Sequence, residues 1–424
     1  MDSYPLFRLG EIFKIARGGS PRPINDYLTD SEDGLNWIMI GDTKGESKYI
    51  TRTKKKIRKE GLAKSRMVYP GDFLLTNSMS FGRPYIMSTE GCIHDGWLVL
   101  SPKDDKSINT DFFYYLLGSD YIYRKFCQLA PGTTVKNLNI DLVKSVKVPL
   151  PPIYEQKRIT NILSKADNLR KMRQESIQKL DELSQSIFLE MFGDPIKNSK
   201  HFPVGTIADL VKSTQYGTSQ KAGPVGEYPI LRMGNITYCG KFDLSDLKYI
   251  DLDEKSQQKY LASHGDLLFN RTNSRELVGK TAVYYGEKPM AYAGYLVKIT
   301  PNKNSVPEFI SALLNSRHGK STLKNMAKNI VGMANINAKE VQTIKTIIPP
   351  LDLQNQFRTR LEKLREFEEK LLSSKEYMDQ LFNSLMQKAF RGELEFNDQA
   401  SSGVIPCQTS YFLNKISQES LLKP

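Results

Sequence analysis

The residues with the chemistry to touch a ligand fall in three pairs of polar, glycine-containing loops. The first pair is Arg17-Gly18-Gly19-Ser20-Pro21-Arg22 and Gln215-Tyr216-Gly217-Thr218-Ser219-Gln220-Lys221. The second is Thr76-Asn77-Ser78-Met79-Ser80-Phe81-Gly82-Arg83 and Asn270-Arg271-Thr272-Asn273-Ser274-Arg275. The third is Gly132-Thr133-Thr134-Val135-Lys136-Asn137 and Gly332-Met333-Ala334-Asn335. Arg and Lys pair with guanine O6 and N7, Asn and Gln with adenine N6 and N7, and Ser or Thr with a base or a phosphate. Glycine lets a backbone come close. The candidate contacts to DNA are therefore Arg17, Gly19, Ser20, Arg22, Asn77, Ser78, Arg83, Thr133, Thr134 and Lys136 in the first set. The second set supplies Gln215, Tyr216, Thr218, Lys221, Arg271, Asn273, Arg275 and Asn335. Any one of these loops, taken alone, also reads as an ordinary solvated turn. As pairs they keep their places and change their residues, which is the pattern of two readers with different targets.

Catalytic chemistry has no comparable carrier. The chain holds no GxxxxGK[ST] phosphate loop, no GxGxxG opening a helix, no GxSxG elbow and no HExxH pair. Adenine methyltransferases place a polar Asn or Asp before Pro-Pro and an aromatic ring after it. Here the diprolines are flanked by Leu150 and Ile153, and by Ile348 and Leu351. Asp72 and Asp266 read as turn residues in Gly-Asp pairs. The four histidines and four cysteines are scattered, with no CxxC or HxxxH spacing, so neither a catalytic metal nor a structural zinc is expected.

The elements that must position the loops follow from an internal duplication. Pro151-Pro152-Ile153-Tyr154-Glu155-Gln156 returns 198 residues later as Pro349-Pro350-Leu351-Asp352-Leu353-Gln354. The same offset relates Pro5 to Pro203, Gly19 to Gly217, Gly96 to Gly294 and Leu138-Asn139 to Ile336-Asn337. Between these anchors the register drifts. Gly71-Asp72 matches Gly265-Asp266, and Gly41-Asp42 matches Gly234-Asn235, at offsets of 194 and 193. Drift with recovery means loop insertions over a shared frame. Short apolar runs such as Trp37-Ile38-Met39-Ile40 and Tyr228-Pro229-Ile230-Leu231 read as strands, and Phe112–Leu117 and Phe309–Leu314 as helices. The expected class is α+β, two tandem repeats. Each is a mixed globular unit followed by a long helix, and the two helices form an antiparallel coiled coil.

From Tyr154 to Met191 there is neither Pro nor Gly. Ile159, Ile162, Ala166, Leu169, Leu180, Leu183 and Ile187 recur at three and four spacing, a coiled-coil seam. The second copy carries Phe357, Leu364, Leu371, Met378 and Leu385, one every seven residues, and the heptad phase survives the duplication. Gly193 and Gly392 stop the two helices. The competing reading is two unrelated surface helices, each packed on its own unit. At ~1.5 Å per residue the first helix reaches roughly 57 Å, comparable to about 17 base-pair steps of ~3.4 Å. The expected boundaries are 1–150, 151–193, 194–348 and 349–392, then a C-terminal extension, 393–424, which disorder, a frayed end or contact with the first repeat would each explain.

Composition bounds the partner. Of 424 residues 60 are Lys or Arg and 47 Asp or Glu, so the chain carries +13, which favours an anionic partner. No apolar run approaches the ~18–20 residues of a membrane span. The start MDSYPLFRLGEIFK has no basic, apolar and small-residue series of a secretory signal. A reducing cytoplasm suits the unpaired cysteines.

In this order (a globular unit, Pro149-Leu150-Pro151-Pro152-Ile153-Tyr154-Glu155-Gln156-Lys157-Arg158-Ile159, a long helix ending near Gly, then all of it again) the chain resembles the DNA-specificity subunit of type I restriction–modification enzymes. Gly71-Asp72-Phe73-Leu74-Leu75 and Gly132-Thr133-Thr134-Val135-Lys136-Asn137-Leu138 also fit. The likeness spans residues 1 to about 395. The second copy departs from it at Leu353, where Glu is usual, and at Met333-Ala334-Asn335. The resemblance implies two target recognition domains, each reading half of a split asymmetric site in double-stranded DNA. It implies two modification subunits that carry S-adenosylmethionine and methylate adenine N6. It also implies motor-nuclease subunits that use ATP and Mg²⁺, with no cofactor, no metal and no catalysis in this chain. The alternatives are a stand-alone DNA methyltransferase or nuclease, and a coiled-coil scaffold that binds proteins and not DNA.

Overall fold

The computed structural model describes residues 4–43, 47–77, 81–129, 137–330, 333–394 and 396. Two compact units emerge, and both are discontinuous or offset relative to the sequence repeats. One comprises Met1–Lys171 with Glu376–Pro424, the other Met172–Lys375. Each long helix is thus shared: Ile153–Phe192 runs unbroken for 40 residues and Leu351–Arg391 for 41.

In the first unit, one five-stranded sheet has the order Phe13–Arg17, Trp97–Pro102, Phe73–Thr76, Pro84–Met87, Tyr49–Ile50. The other has the order Leu28–Thr29, Lys55–Ile57, Leu35–Ile38, Gly91–Ile93, Arg66–Val68. Phe73–Thr76 and Pro84–Met87 are buried on both faces, so they read as continuous apolar runs and not as alternation. The second unit repeats the plan. Val211–Tyr216, Leu296–Pro301, Leu267–Asn270 and Thr281–Val283 form one sheet, and Lys248–Ile250, Tyr228–Leu231, Met290–Tyr292 and Leu261–Ala262 the other. The expected helices are Thr110–Leu117 and Pro307–Asn315.

The sequence anchors have structural causes. Gly71 and Gly265 take φ of +93° and +88°, which a Cβ would strain. The neighbouring Asp72 and Asp266 carboxylates then accept the backbone N–H of Tyr69 and Ser263, at 2.7 and 2.8 Å. Asn139 and Asn337 cap short helices by accepting the N–H of Leu142 and Glu340, while Leu138 and Ile336 before them are buried.

The Pro-Pro-x-x-x-Gln segment fastens each long helix to its globular part. Gln156 is fully buried. Its Oε1 accepts the Asn109 N–H at 2.9 Å, and its Nε2 donates to the carbonyls of Ser107 and Pro151, both at 2.9 Å. Gln354, equally buried, does the same with Val306, Asn304 and Pro349 at 3.2, 3.1 and 2.8 Å.

The two helices pair antiparallel inside each unit. In the first, Ile159 and Leu163 share a core with Phe382, Met386, Ala389 and Phe390. There Arg170 Nε donates to Asp379 at 2.6 Å, with its guanidinium over the Phe382 ring. In the second, Ile177 and Leu180 pack on Leu371, Phe188 meets Phe357, and Arg360 pairs with Glu190 at 3.1 Å. The seam differs from the expected one in its second column. Ile159, Ala166, Leu180 and Ile187 keep their places, as do Phe357, Leu364, Leu371, Met378 and Leu385. The intervening positions fall one residue later, at Gln156, Leu163, Arg170, Ile177, Ser184 and Met191, each buried or half-buried. Leu183 is 44% exposed, and Ile162 and Leu169, though half-buried, take no part in the cores that hold Leu163 and Ile177. Apolar residues on both sides of the true column make the two phases look alike.

Leu394 and Phe396 pack on the first unit's core, Phe396 under the Arg158 guanidinium. Residue 395 and residues 397–424 of the expected extension lie outside the described residues, as do Ser78, Thr133, Thr134 and Lys136. Among the described residues no helix is long and apolar enough to cross a membrane.

Candidate nucleic-acid interface

In the first unit the buried strand Gly91–Ile93 runs into the turn His94-Asp95-Gly96, and the candidate side chains gather on that turn. Arg17 Nε donates to the Asp95 carbonyl at 2.7 Å, and Asn77 Nδ2 to the same oxygen at 2.8 Å. Ser20 Oγ donates to Asp95 Oδ1 at 2.8 Å, and the Arg22 guanidinium stands 3.6 Å from Oδ2. Foremost, the Ser20 hydroxyl holds the Asp95 carboxyl below the usual carboxylate range, helped by the backbone and by the charges of His94 and Arg17. His94 is pushed below its ordinary value by burial, against the opposing pull of the Asp95 carboxylate. Exposed guanidiniums beside an exposed carboxylate suit base edges: arginine for guanine, and Asp95 as acceptor for cytosine N4.

The second unit builds the same frame with other side chains. Gly18 N–H and Gly217 N–H donate to Trp97 O and Leu296 O at 3.0 and 3.1 Å. Asn77 N–H and Arg271 N–H donate to Gly96 O and Tyr295 O, both at 3.0 Å. Leu138 N–H and Ile336 N–H then close on Asn77 O and Arg271 O. On this frame the Arg271 guanidinium lies 4.8 Å from the Tyr216 ring centroid, and its Nη2 donates to Asn335 Oδ1 at 3.4 Å. Tyr216 Oη accepts the Ala338 N–H at 3.2 Å. The Arg271 Nε is buried with no partner among the described residues. Where the first unit has Asp95 the second has Gly294, so the carboxylate is absent, and Tyr295 stands 47% exposed in place of Gly96.

These hydrogen bonds correct the alignment by one residue. Gly217 matches Gly18, not Gly19, and Gly96 matches Tyr295, not Gly294. A Cβ on Gly18 or Gly217 would stand 2.2 or 2.3 Å from a carbonyl oxygen of the opposite turn. The frame therefore demands glycine there, while Gly19 is needed for a separate reason, the Lys64 carbonyl that a Cβ would meet at 2.6 Å.

Several candidates are not presented to a ligand. Asn77 and Thr218 are 1% and 3% exposed and brace backbone. Gln215 is half-buried and donates to Lys259 O at 2.6 Å. Asn273 Oδ1 accepts the Ser274 N–H. Arg83 is exposed in a different place, lining a groove of about 1040 Å³ with Tyr115, Arg124 and Arg170. Lys221 and Arg275 are exposed. Sequence reasoning missed Asp95 and Tyr295. The signal for Asp95 was there, since an Asp-Gly pair closing a buried run marks a turn, but only the glycine was used.

Residues 1–182 and 197–375 match the family described as the type I restriction modification DNA specificity domain. The chain is 24% identical over 312 residues to the type I restriction enzyme EcoKI specificity subunit of Escherichia coli, covering 69% of this chain and 67% of that protein. It is 21% identical over 428 residues to the MjaIX specificity subunit of Methanocaldococcus jannaschii, covering 92% and 93%. In fold it resembles a chain solved in a study of complex assembly and conformational transition of the type I R-M system, with TM-score 0.59 and 17% identity over 93% of this chain and 99% of that one.

Proposed function

The chain belongs to the type I restriction modification DNA specificity family, whose domain it carries twice, and from that premise we propose that its units read the two halves of one split, asymmetric DNA site. The first unit reads with Arg17, Ser20, Arg22 and Asp95, the second with Tyr216, Arg271 and Asn335. One observation carries this: the two clusters sit on matching backbone hydrogen bonds and share almost no side chain. The paired helices set the length of unread DNA between the halves. Two modification subunits holding S-adenosylmethionine methylate adenine N6, one on each strand, and motor-nuclease subunits using ATP and Mg²⁺ cleave, all in the cytoplasm. An adenine must leave the stack to react, so the duplex has to be gripped on both sides of the spacer.

The test is methylation-sensitive sequencing of host DNA with and without this gene, repeated with Arg17→Ala/Arg22→Ala and with Arg271→Ala. The expected result is a two-part motif in which each variant relaxes one half only, by about 1–3 kcal/mol of discrimination per base pairing removed. A continuous motif, or one variant altering both halves, refutes the reading.

A further inference from the structure

The two units differ in charge around one matching strand. The first unit's Lys55–Ile57 and the second's Lys248–Ile250 each pair antiparallel with the neighbouring Leu35–Ile38 or Tyr228–Leu231, Trp37 opposite Lys55 and Ile230 opposite Lys248. That register aligns residues 50–60 with 243–253. The first segment carries Arg52, Lys54, Lys55, Lys56, Arg58 and Lys59 against Glu60 alone. The second carries Lys248 against Asp243, Asp246, Asp251 and Asp253. All four acids serve local structure: Asp243 accepts the Ser245 N–H, Asp246 pairs with Arg232 at 2.8 Å, Asp251 accepts the Glu227 N–H, and Asp253 caps the helix Glu254–Tyr260.

The basic segment leads through the helical turn Lys59–Lys64 to residues that touch the reading cluster. Arg58 N–H donates to Tyr27 O at 2.8 Å, and a Cβ on Gly19 would meet Lys64 O at 2.6 Å. Arg66 Nε donates to Arg17 O at 2.8 Å. Arg52, Lys54, Lys55, Arg58 and Lys59 are exposed, and none pairs with an acid among the described residues. Five unneutralised cations in so short a segment repel one another and gain from an anion brought near.

Resting on the reading of two half-sites, we propose that this edge of the first unit is a sequence-independent grip on the phosphodiester backbone flanking its half-site, and that the second unit has none. The first unit then supplies most of the salt-dependent affinity, and the second mainly base selection. Phosphate contacts fix register without reading sequence.

The experiment compares the full chain with its Arg52→Gln/Lys54→Gln/Lys55→Gln/Arg58→Gln/Lys59→Gln form, titrating a duplex that contains the mapped site at several KCl concentrations. The log–log salt slope falls by about 0.9 for each phosphate no longer neutralised, so releasing four phosphates lowers it by about 3.6. The Kd rises at least tenfold on cognate and scrambled duplex alike, and the methylated motif stays the same. Ethylation interference on the unaltered chain, which needs no variant, marks extra phosphates outside the first half-site only. An unchanged slope, an altered motif or equal phosphate protection at both halves overturns the proposal. Salt-insensitive binding by the unaltered chain overturns this proposal and the function it rests on together.

Discussion

Replacing Gln156 by Met keeps the side-chain length and removes every polar atom from the joint between the first unit and its long helix. Three hydrogen bonds go. Ser107 is exposed, so its carbonyl finds water. The Asn109 N–H and the carbonyl of buried Pro151 are left unpaired. At about 1–3 kcal/mol for each buried orphan, the cost is about 2–6 kcal/mol. With a urea m-value of about 3 kcal/mol/M, that moves the midpoint down by roughly 0.7–2 M. The chain provides its own probe. Both tryptophans, Trp37 and Trp97, are buried in the first unit, so indole fluorescence follows that unit alone. Gln354→Met, whose partners all lie in the second unit, should leave the fluorescence transition in place and shift the far-UV signal instead. A fluorescence midpoint for Gln156→Met within about 0.2 M of the unaltered chain would refute the staple.

Other outcomes follow from the same geometry. Ile177→Ala should cost about 2–4 kcal/mol and Leu183→Ala under about 0.5 by urea unfolding; equal costs would favour the seam phase expected from the sequence. Truncation after Lys375 removes Phe382, Met386, Ala389 and Phe390 from the first core, a penalty of about 8 kcal/mol or more against a typical domain stability of about 5–15. Native tryptophan emission should disappear, and an unaltered spectrum would count against a shared core. His94, held below its ordinary 6.5 by burial, contributes stability that is complete above that value and fades as pH falls through its folded pKa. The depressed Asp95 carboxyl adds a loss below about pH 4. The first unit should therefore lose urea resistance as pH falls below 6.5, and His94→Gln should flatten that slope; a slope unchanged in the variant would place its cause elsewhere.

The repeat was legible because its anchors are structural. Prolines, the buried glutamine, capping asparagines and positive-φ glycines each have one backbone job, so they persist while loops change length. The shared heptad column was legible for the same reason. Its companion was not, because Ile162, Leu169 and Leu183 are as apolar as Leu163 and Ile177, and only packing with residues of the other long helix separates them. The reading residues were half legible. Polar loops were located, but exposure was not, and Asn77, Thr218 and Gln215 proved to hold the backbone instead of facing outward. Nothing in the pattern marks a side chain as turned inward until its hydrogen-bond partner, often dozens of residues away, is known.

The composition of each unit says why a reader can change without losing its frame. Ile93 and Trp97, which flank the turn at 94–96, accept main-chain hydrogen bonds from Gly19 and Gly18, and these bonds tolerate changes of side chain elsewhere provided residues 18 and 19 lack a Cβ. In the second unit the same bonds carry Tyr216, Arg271 and Tyr295 where the first carries Arg17, Asn77 and Gly96. The aspartate whose carboxylate and carbonyl orient side chains in one unit has no carboxylate to replace it in the other, so each cluster is oriented by its own local partners. On the proposed reading, specificity can thus vary one unit at a time. The helices, by contrast, are held by Gln156 and Gln354 and by one column of buried residues in phase along both. On the same reading the two kinds of change should be separable in the motif: base identity within one half for the first, spacing between the halves for the second.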